Sequence, residues 1–268
     1  MYFLTLYRRL IAVQIRAQLQ YPVAFWFGLG GTALTTTVEF GSLALILLRF
    51  EGIGGWTLGE VAFLYGLVEM AFGLMDMLFS GFDPPYFGRM VRQGQFDQLL
   101  LRPLNVTLQI LGSRFETRRV GRIGQGVLIF TLALTLTDVR WTPLKLAYLP
   151  VVVLSMVCFF GGLFIIGATI TFWTVESVEA INILTYGGNE MMSYPMTIYQ
   201  DWMRRFFTFV VPAALLNYYP ALYFLDKPDP FNMPPFAPFL APLAGAGMMT
   251  AALFFWRFGI RHYASTGS

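Results

Sequence analysis

The sequence predicts an all-α integral membrane protein of six transmembrane helices, and three observations lead there. Of 268 residues, 56% are hydrophobic and only 12% are charged, too little polar surface to coat a soluble globule of this size. Apolar runs of membrane-spanning length recur from one end of the chain to the other. Between them the arginines fall in clusters, the pattern that sets membrane topology. No stretch is left for a sizeable water-soluble domain, so residues 1–268 read as a single membrane domain.

Residues 1–20 alternate apolar side chains with Arg8, Arg9, Gln14, Arg16 and Gln18, and lack the apolar core and cleavage site of a signal peptide. They predict an interfacial helix with Tyr2, Phe3, Leu6, Leu10 and Ile11 in the acyl boundary. The first span, near 22–48, opens on Pro22 and holds Glu39 as its only ionisable group. The second, near 57–82, carries Glu60, Glu69 and Asp76 and is expected to stop at Asp83-Pro84-Pro85.

Residues 84–120 form a long polar loop containing Arg89, Arg92, Arg102, Arg114, Arg118 and Arg119, with Arg122 just beyond. The positive-inside rule places this loop, and with it the N-terminus, in the cytoplasm. Spans three and four follow near 121–136 and 146–173, joined by an outer turn with Asp138, Arg140 and Lys145. A fifth span near 177–193 is sprinkled with Glu179, Asn182, Asn189 and Glu190, and Glu176 stands just before it, so the segment should be lined by protein. Residues 194–226 are aromatic and broken by Pro195, Pro212 and Pro220, which reads as an extracellular re-entrant hairpin. The last span, near 239–256, ends at Arg257, Arg261 and His262, putting the C-terminus in the cytoplasm as well. In this layout twelve of the 18 Lys and Arg residues lie inside.

What the chain lacks narrows its chemistry. Cys158 is the only cysteine and His262 the only histidine, so neither a zinc site nor histidine acid–base catalysis can be assembled. Neither lysine, Lys145 or Lys227, follows a glycine-rich phosphate loop; no catalytic residue, bound cofactor or metal is expected. The clustered arginines suit headgroups rather than a nucleic-acid groove, so no nucleic-acid partner is expected. The intramembrane acids Glu39, Glu69, Asp76, Glu179 and Glu190 are costly at bilayer depth and point either to buried pairing or to a polar path.

The most specific stretch is Gly94-Gln95-Phe96-Asp97-Gln98-Leu99-Leu100-Leu101-Arg102-Pro103, a short amphipathic segment closed by proline inside the basic loop. Held out between two spans, it can carry force from a soluble motor, its Phe and Leu filling a groove that Arg and Asp rim. With the tail from Phe255 to Ser268 and Asn217-Tyr218-Tyr219-Pro220-Ala221, it resembles the small six-helix branch of the ABC-2 type transporter permeases. The resemblance implies an N-terminal elbow helix, a cytoplasmic coupling helix and a re-entrant pair before the last span. It further implies two permeases, identical or related, working with two ABC ATPase subunits that bind ATP and Mg in a bacterial cytoplasmic membrane. The coupling residues would be Phe96, Asp97, Leu99, Leu100 and Arg102, supported by Arg89 and Arg92. An amphipathic or hydrophobic substrate (a drug, peptide or lipid-linked molecule) would suit the aromatic first two spans. Two other readings stay open, a proton-coupled secondary carrier using the intramembrane acids and a non-transporting membrane scaffold.

Overall fold

The computed structural model describes residues 2–50, 52–174 and 179–264, and those residues are helical throughout apart from turns and one isolated bridge. Two long helices lead the chain, α1 (Tyr2–Leu19) and α2 (Pro22–Phe50). A turn built on Gly52, Gly54 and Gly55 then delivers the chain to α3 (Leu58–Phe79). Gly54 sits at φ 57°, and a Cβ there would fall 2.4 Å from Thr197 Oγ1, so only glycine fits this corner. Thr57 and Glu60 close a capping box on the first turn of α3, and Lys227 binds Glu60 at 2.8 Å while lying over Trp56.

Asp83-Pro84-Pro85 does not stop the second span as expected. One tight turn, Ser80–Phe82, joins α3 to α4 (Pro84–Arg92), and the prolines occupy the first turn of α4, where a missing N–H costs nothing. Gly94, at φ 67°, swings the chain into α5 (Gln95–Leu100), and α6 (Val106–Leu111) follows, capped by Asn105. Helices α7 (Arg119–Leu136) and α8 (Pro143–Thr174) match the third and fourth predicted spans to within about one turn.

The polar segment after α8 contains α9 (Glu179–Asn182) and α10 (Gly188–Met192), joined by one widened turn, Ile183–Gly187. From Glu179 to Met192 the described part of that helix rises about 21 Å, and residues 175–178, where the expected fifth span near 177–193 begins, lie outside the described residues. Glu176, the side chain of Glu179 and the tail from Ser265 lie outside the described residues. Next come α11 (Asp201–Arg205), α12 (Ala213–Leu216) and α13 (Tyr218–Phe224), which form a pair of helical segments bent by 68° where a re-entrant hairpin was expected. The last described helix is α14 (Ala241–Arg261).

Among the described residues, four segments are long and apolar enough to cross a membrane: 58–92, 119–136, 143–174 and 241–261. The bent pair would make a fifth. With 29 residues and a rise of about 44 Å, α2 also has the length to cross, and it lies on the outside of the bundle.

The centre of the molecule is α3, buried nearly all round between α7 and α8. Gly59, Gly66 and Gly73 recur every seven residues on α3 and meet antiparallel α7: added Cβ atoms would fall 2.7 Å from Leu136 Cβ, 2.7 Å from Phe130 N and 2.9 Å from Ile123 Cγ1. Gly126 answers from α7, where a Cβ would meet Met70 N at 2.7 Å. Small residues at this spacing let two membrane helices touch backbone to backbone. Phe63, Phe130 and Phe224 fill the layer beside them.

Candidate functional site

A second stripe on α3 is acidic. Glu69 and Asp76 on α3, and Asp83 just before α4, stand seven residues apart; Arg122 and Arg119 at the start of α7 meet the first two and Arg114, in the segment before α7, meets the third. Arg122 grips Glu69 through Nε (2.5 Å) and Nη2 (2.7 Å) and lies 4.6 Å over the Phe72 ring. Arg119 sits 2.7 Å from Asp76, and Arg114 reaches Asp83 at 3.6 Å. Glu116 is shared by Arg114 and Arg118. Glu69 and Asp76 are therefore partners of the arginines that the sequence places in and beside the basic loop. Glu39 and Glu190 differ. Both are exposed on the bundle, neither has a basic partner among the described residues, and they lie close enough to repel one another.

Helix α1 is fastened at the same end as α5. Gln14 donates to Ser113 O at 2.8 Å, Gln18 donates to Phe115 O, and Thr117 donates its N–H to Gln18 Oε1. Leu10, one turn earlier on this face, packs on Gly112. Leu10 thus faces protein rather than the acyl boundary expected for it, Val13 and Leu19 are exposed, and the side chains of Tyr2 and Phe3 lie outside the described ones.

Within the 94–103 segment the structure divides the expected coupling residues. Phe96 is wholly buried, its ring against Phe87, Phe172, Trp256 and Tyr263 at 4.9 to 6.2 Å. Leu99 packs against the core, and its carbonyl accepts from buried Gln109 at 3.1 Å. Phe96 therefore anchors α5 instead of offering itself to a partner, because a one-turn helix on a membrane bundle must turn its largest ring inward to be held at all. Asp97 is half-buried. Facing outward are Arg89, Arg92, Leu100, Arg102 and above all Leu101, 86% exposed, which the sequence reading did not single out. Trp256 locks the anchor from behind, donating its indole N–H to Thr107 Oγ1 at 3.0 Å.

At the far end, Asn217 is fully buried where α12 gives way to α13, and its amide donates to Leu64 O (3.2 Å) and Met192 O (2.9 Å). The Asn217-Tyr218-Tyr219-Pro220-Ala221 motif is thus the clasp that fixes the bent pair against α3 and α10. Nearby, buried Lys145 is satisfied by Phe224 O at 2.9 Å and Asp226 at 2.8 Å.

A family profile described as ABC-2 family transporter protein matches residues 33–267. The chain belongs to that family. No curated protein matches it, and no solved structure does. As a member of the ABC-2 transporter family it is a multi-pass membrane subunit without catalytic machinery of its own, of the kind that works with an ABC ATPase partner. Among the described residues no group of His, Cys, Asp and Glu is arranged to hold a metal.

Proposed function

We propose that this ABC-2 family chain is the permease of an ATP-driven exporter, with α5 as the helix that receives the ATPase. One observation carries the reading: α5 is riveted to the bundle through Phe96 while Leu100, Leu101, Arg102, Arg92 and Arg89 are directed away from it. An apolar tip ringed by arginines that have no ion pair among the described residues suits a recess with an acidic rim on a soluble partner. In this reading two ATPases bind two permeases from the cytoplasm of a bacterium, and ATP, with Mg, closes the motors. Its tighter binding to the closed state biases the equilibrium that drives the helices.

The substrate path runs at the face where α2 exposes Trp26, Phe27, Leu34 and Val38 beside Glu39 and Glu190, closed by a second permease, identical or related. Aromatic and aliphatic walls with a few carboxylates suit an amphipathic or hydrophobic substrate such as a drug, a peptide or a lipid-linked molecule.

Co-purification of the tagged permease with the ATPase encoded beside it tests the reading. Leu101→Asp with Arg102→Glu should abolish recovery of the ATPase and leave the permease folded. Phe96→Ala should instead lower the melting temperature, since removing a buried aromatic costs about 3–5 kcal/mol. An unaffected double variant would sink the docking role of α5. Glu39 and Glu190 favour one other reading, a proton-coupled carrier. Uptake into ATP-free liposomes driven by a pH gradient and lost in Glu190→Gln would establish that reading in its place.

A further inference from the structure

Beside the end of α1, the start of α2 and the turn just before α7 line an open cavity of about 430 Å³, of ligand-site size. Phe25, Gly28 and two alanines make its apolar wall, and Gln18, Tyr21, Thr117 and Arg118 make its polar rim. Gln18 is spent on the Phe115 and Thr117 backbone, which fixes that rim. Glu116 holds Arg118 through Nε at 2.7 Å, and the two Nη groups have no acceptor among the described residues. Tyr21 is exposed at the mouth, where a tyrosine suits a membrane interface.

The surrounding charge is one-sided. Arg8, Arg9 and Arg16 are exposed on α1, which bears no acid, and none of the three is in an ion pair among the described residues. The nearby carboxylate, Glu116, is already shared by two arginines. A choline lipid would bring the same phosphodiester to the Arg118 guanidinium but add a cation to this basic surface with no free acid to receive it, whereas an anionic head keeps the net negative charge that the surface attracts. We propose that this cavity seats one anionic phospholipid from the leaflet that α1 borders, its phosphate on Arg118 and an acyl chain along Phe25 and Gly28. The lipid fills the joint between elbow and bundle and holds α1 in its seat.

Native mass spectrometry of the full chain in mild detergent tests this, titrating phosphatidylglycerol, phosphatidylcholine with the same acyl chains, and soluble glycerophosphoglycerol. One phosphatidylglycerol should be retained per chain in preference to phosphatidylcholine by about fivefold or more, the factor one arginine carries at an anionic surface. Gly28→Leu should fill the cavity and abolish retention without moving backbone, since a Cβ at Gly28 has Arg118 Cβ as its nearest neighbour, 3.9 Å away. Arg118→Gln leaves Glu116 to Arg114 and should remove the preference over phosphatidylcholine. Equal retention of the two lipids, or displacement by the chainless headgroup, overturns the proposal. So does undiminished retention in Gly28→Leu, or a loss in Arg8→Gln/Arg9→Gln as large as that in Arg118→Gln. Should Gly28→Leu fail to fold, Arg118→Gln alone decides. None of these outcomes depends on ATPase recovery.

Discussion

The Glu69–Arg122 pair shows what a buried charge requires inside a membrane protein. Neither group could stand in the core alone, and each offsets the other's desolvation because the geometry is bidentate and Phe72 roofs the guanidinium. Glu69→Leu, which strands Arg122, should cost about 3–5 kcal/mol in thermal unfolding, and Glu69→Leu with Arg122→Leu should recover most of that loss. Glycine makes the complementary test. Gly66→Ala would push a methyl into the Phe130 backbone and should cost about 1–3 kcal/mol, whereas Gly30→Ala, with nothing within 4 Å of its Cβ, should be neutral or stabilising by up to about 1 kcal/mol. The intramembrane acids were legible in the sequence as buried-or-functional. Which were which was not, because Arg119 and Arg122 read as part of a polar connection, and only the antiparallel register of α7 on α3 brings them to Asp76 and Glu69.

Short elements mislead where long ones do not. Hydropathy over twenty residues locates α7 and α8 to within about one turn, since every side chain in the window contributes to the same average. Six residues of α5 contain no repeat from which to tell inside from outside, so the sequence singles out buried Phe96 and passes over exposed Leu101 just beyond the helix. Proline misled at 83–85 for a related reason: it forbids a helix interior but favours a first turn, and the sequence does not say which is coming. In the bent pair Pro212 stands at the break and Asn217 at the clasp, so both residues mark a change of direction of the chain. Asn217→Ala removes two donors from buried carbonyls and should cost about 1–3 kcal/mol, with faster hydrogen exchange confined to the segment from Ala213 to Phe224.

As a whole the molecule has two ends and a stiff centre. At one end, α1, α5, α6 and the close of α14 are tied together by Gln18, Trp256 and the ring cluster. At the other, Lys227 on Glu60 and Lys145 on Asp226 tie the return turns. Between them α3 touches α7 through backbone and is crossed by buried ion pairs, so a displacement at α5 has a rigid body to act on. A full-length chain whose Trp256 is replaced by alanine should still insert but bind the ATPase more weakly, because α5 loses its backing.

The seat of Phe96 has a consequence for biogenesis. Its ring rests on Phe172, Trp256 and Tyr263, residues synthesised long after α5 has left the ribosome. Until the final helix is made and inserted, the segment proposed above to receive the motor has no wall behind it. The order of translation thus becomes a checkpoint, and a stalled or prematurely terminated chain should be unable to recruit, and so to squander, an ATPase.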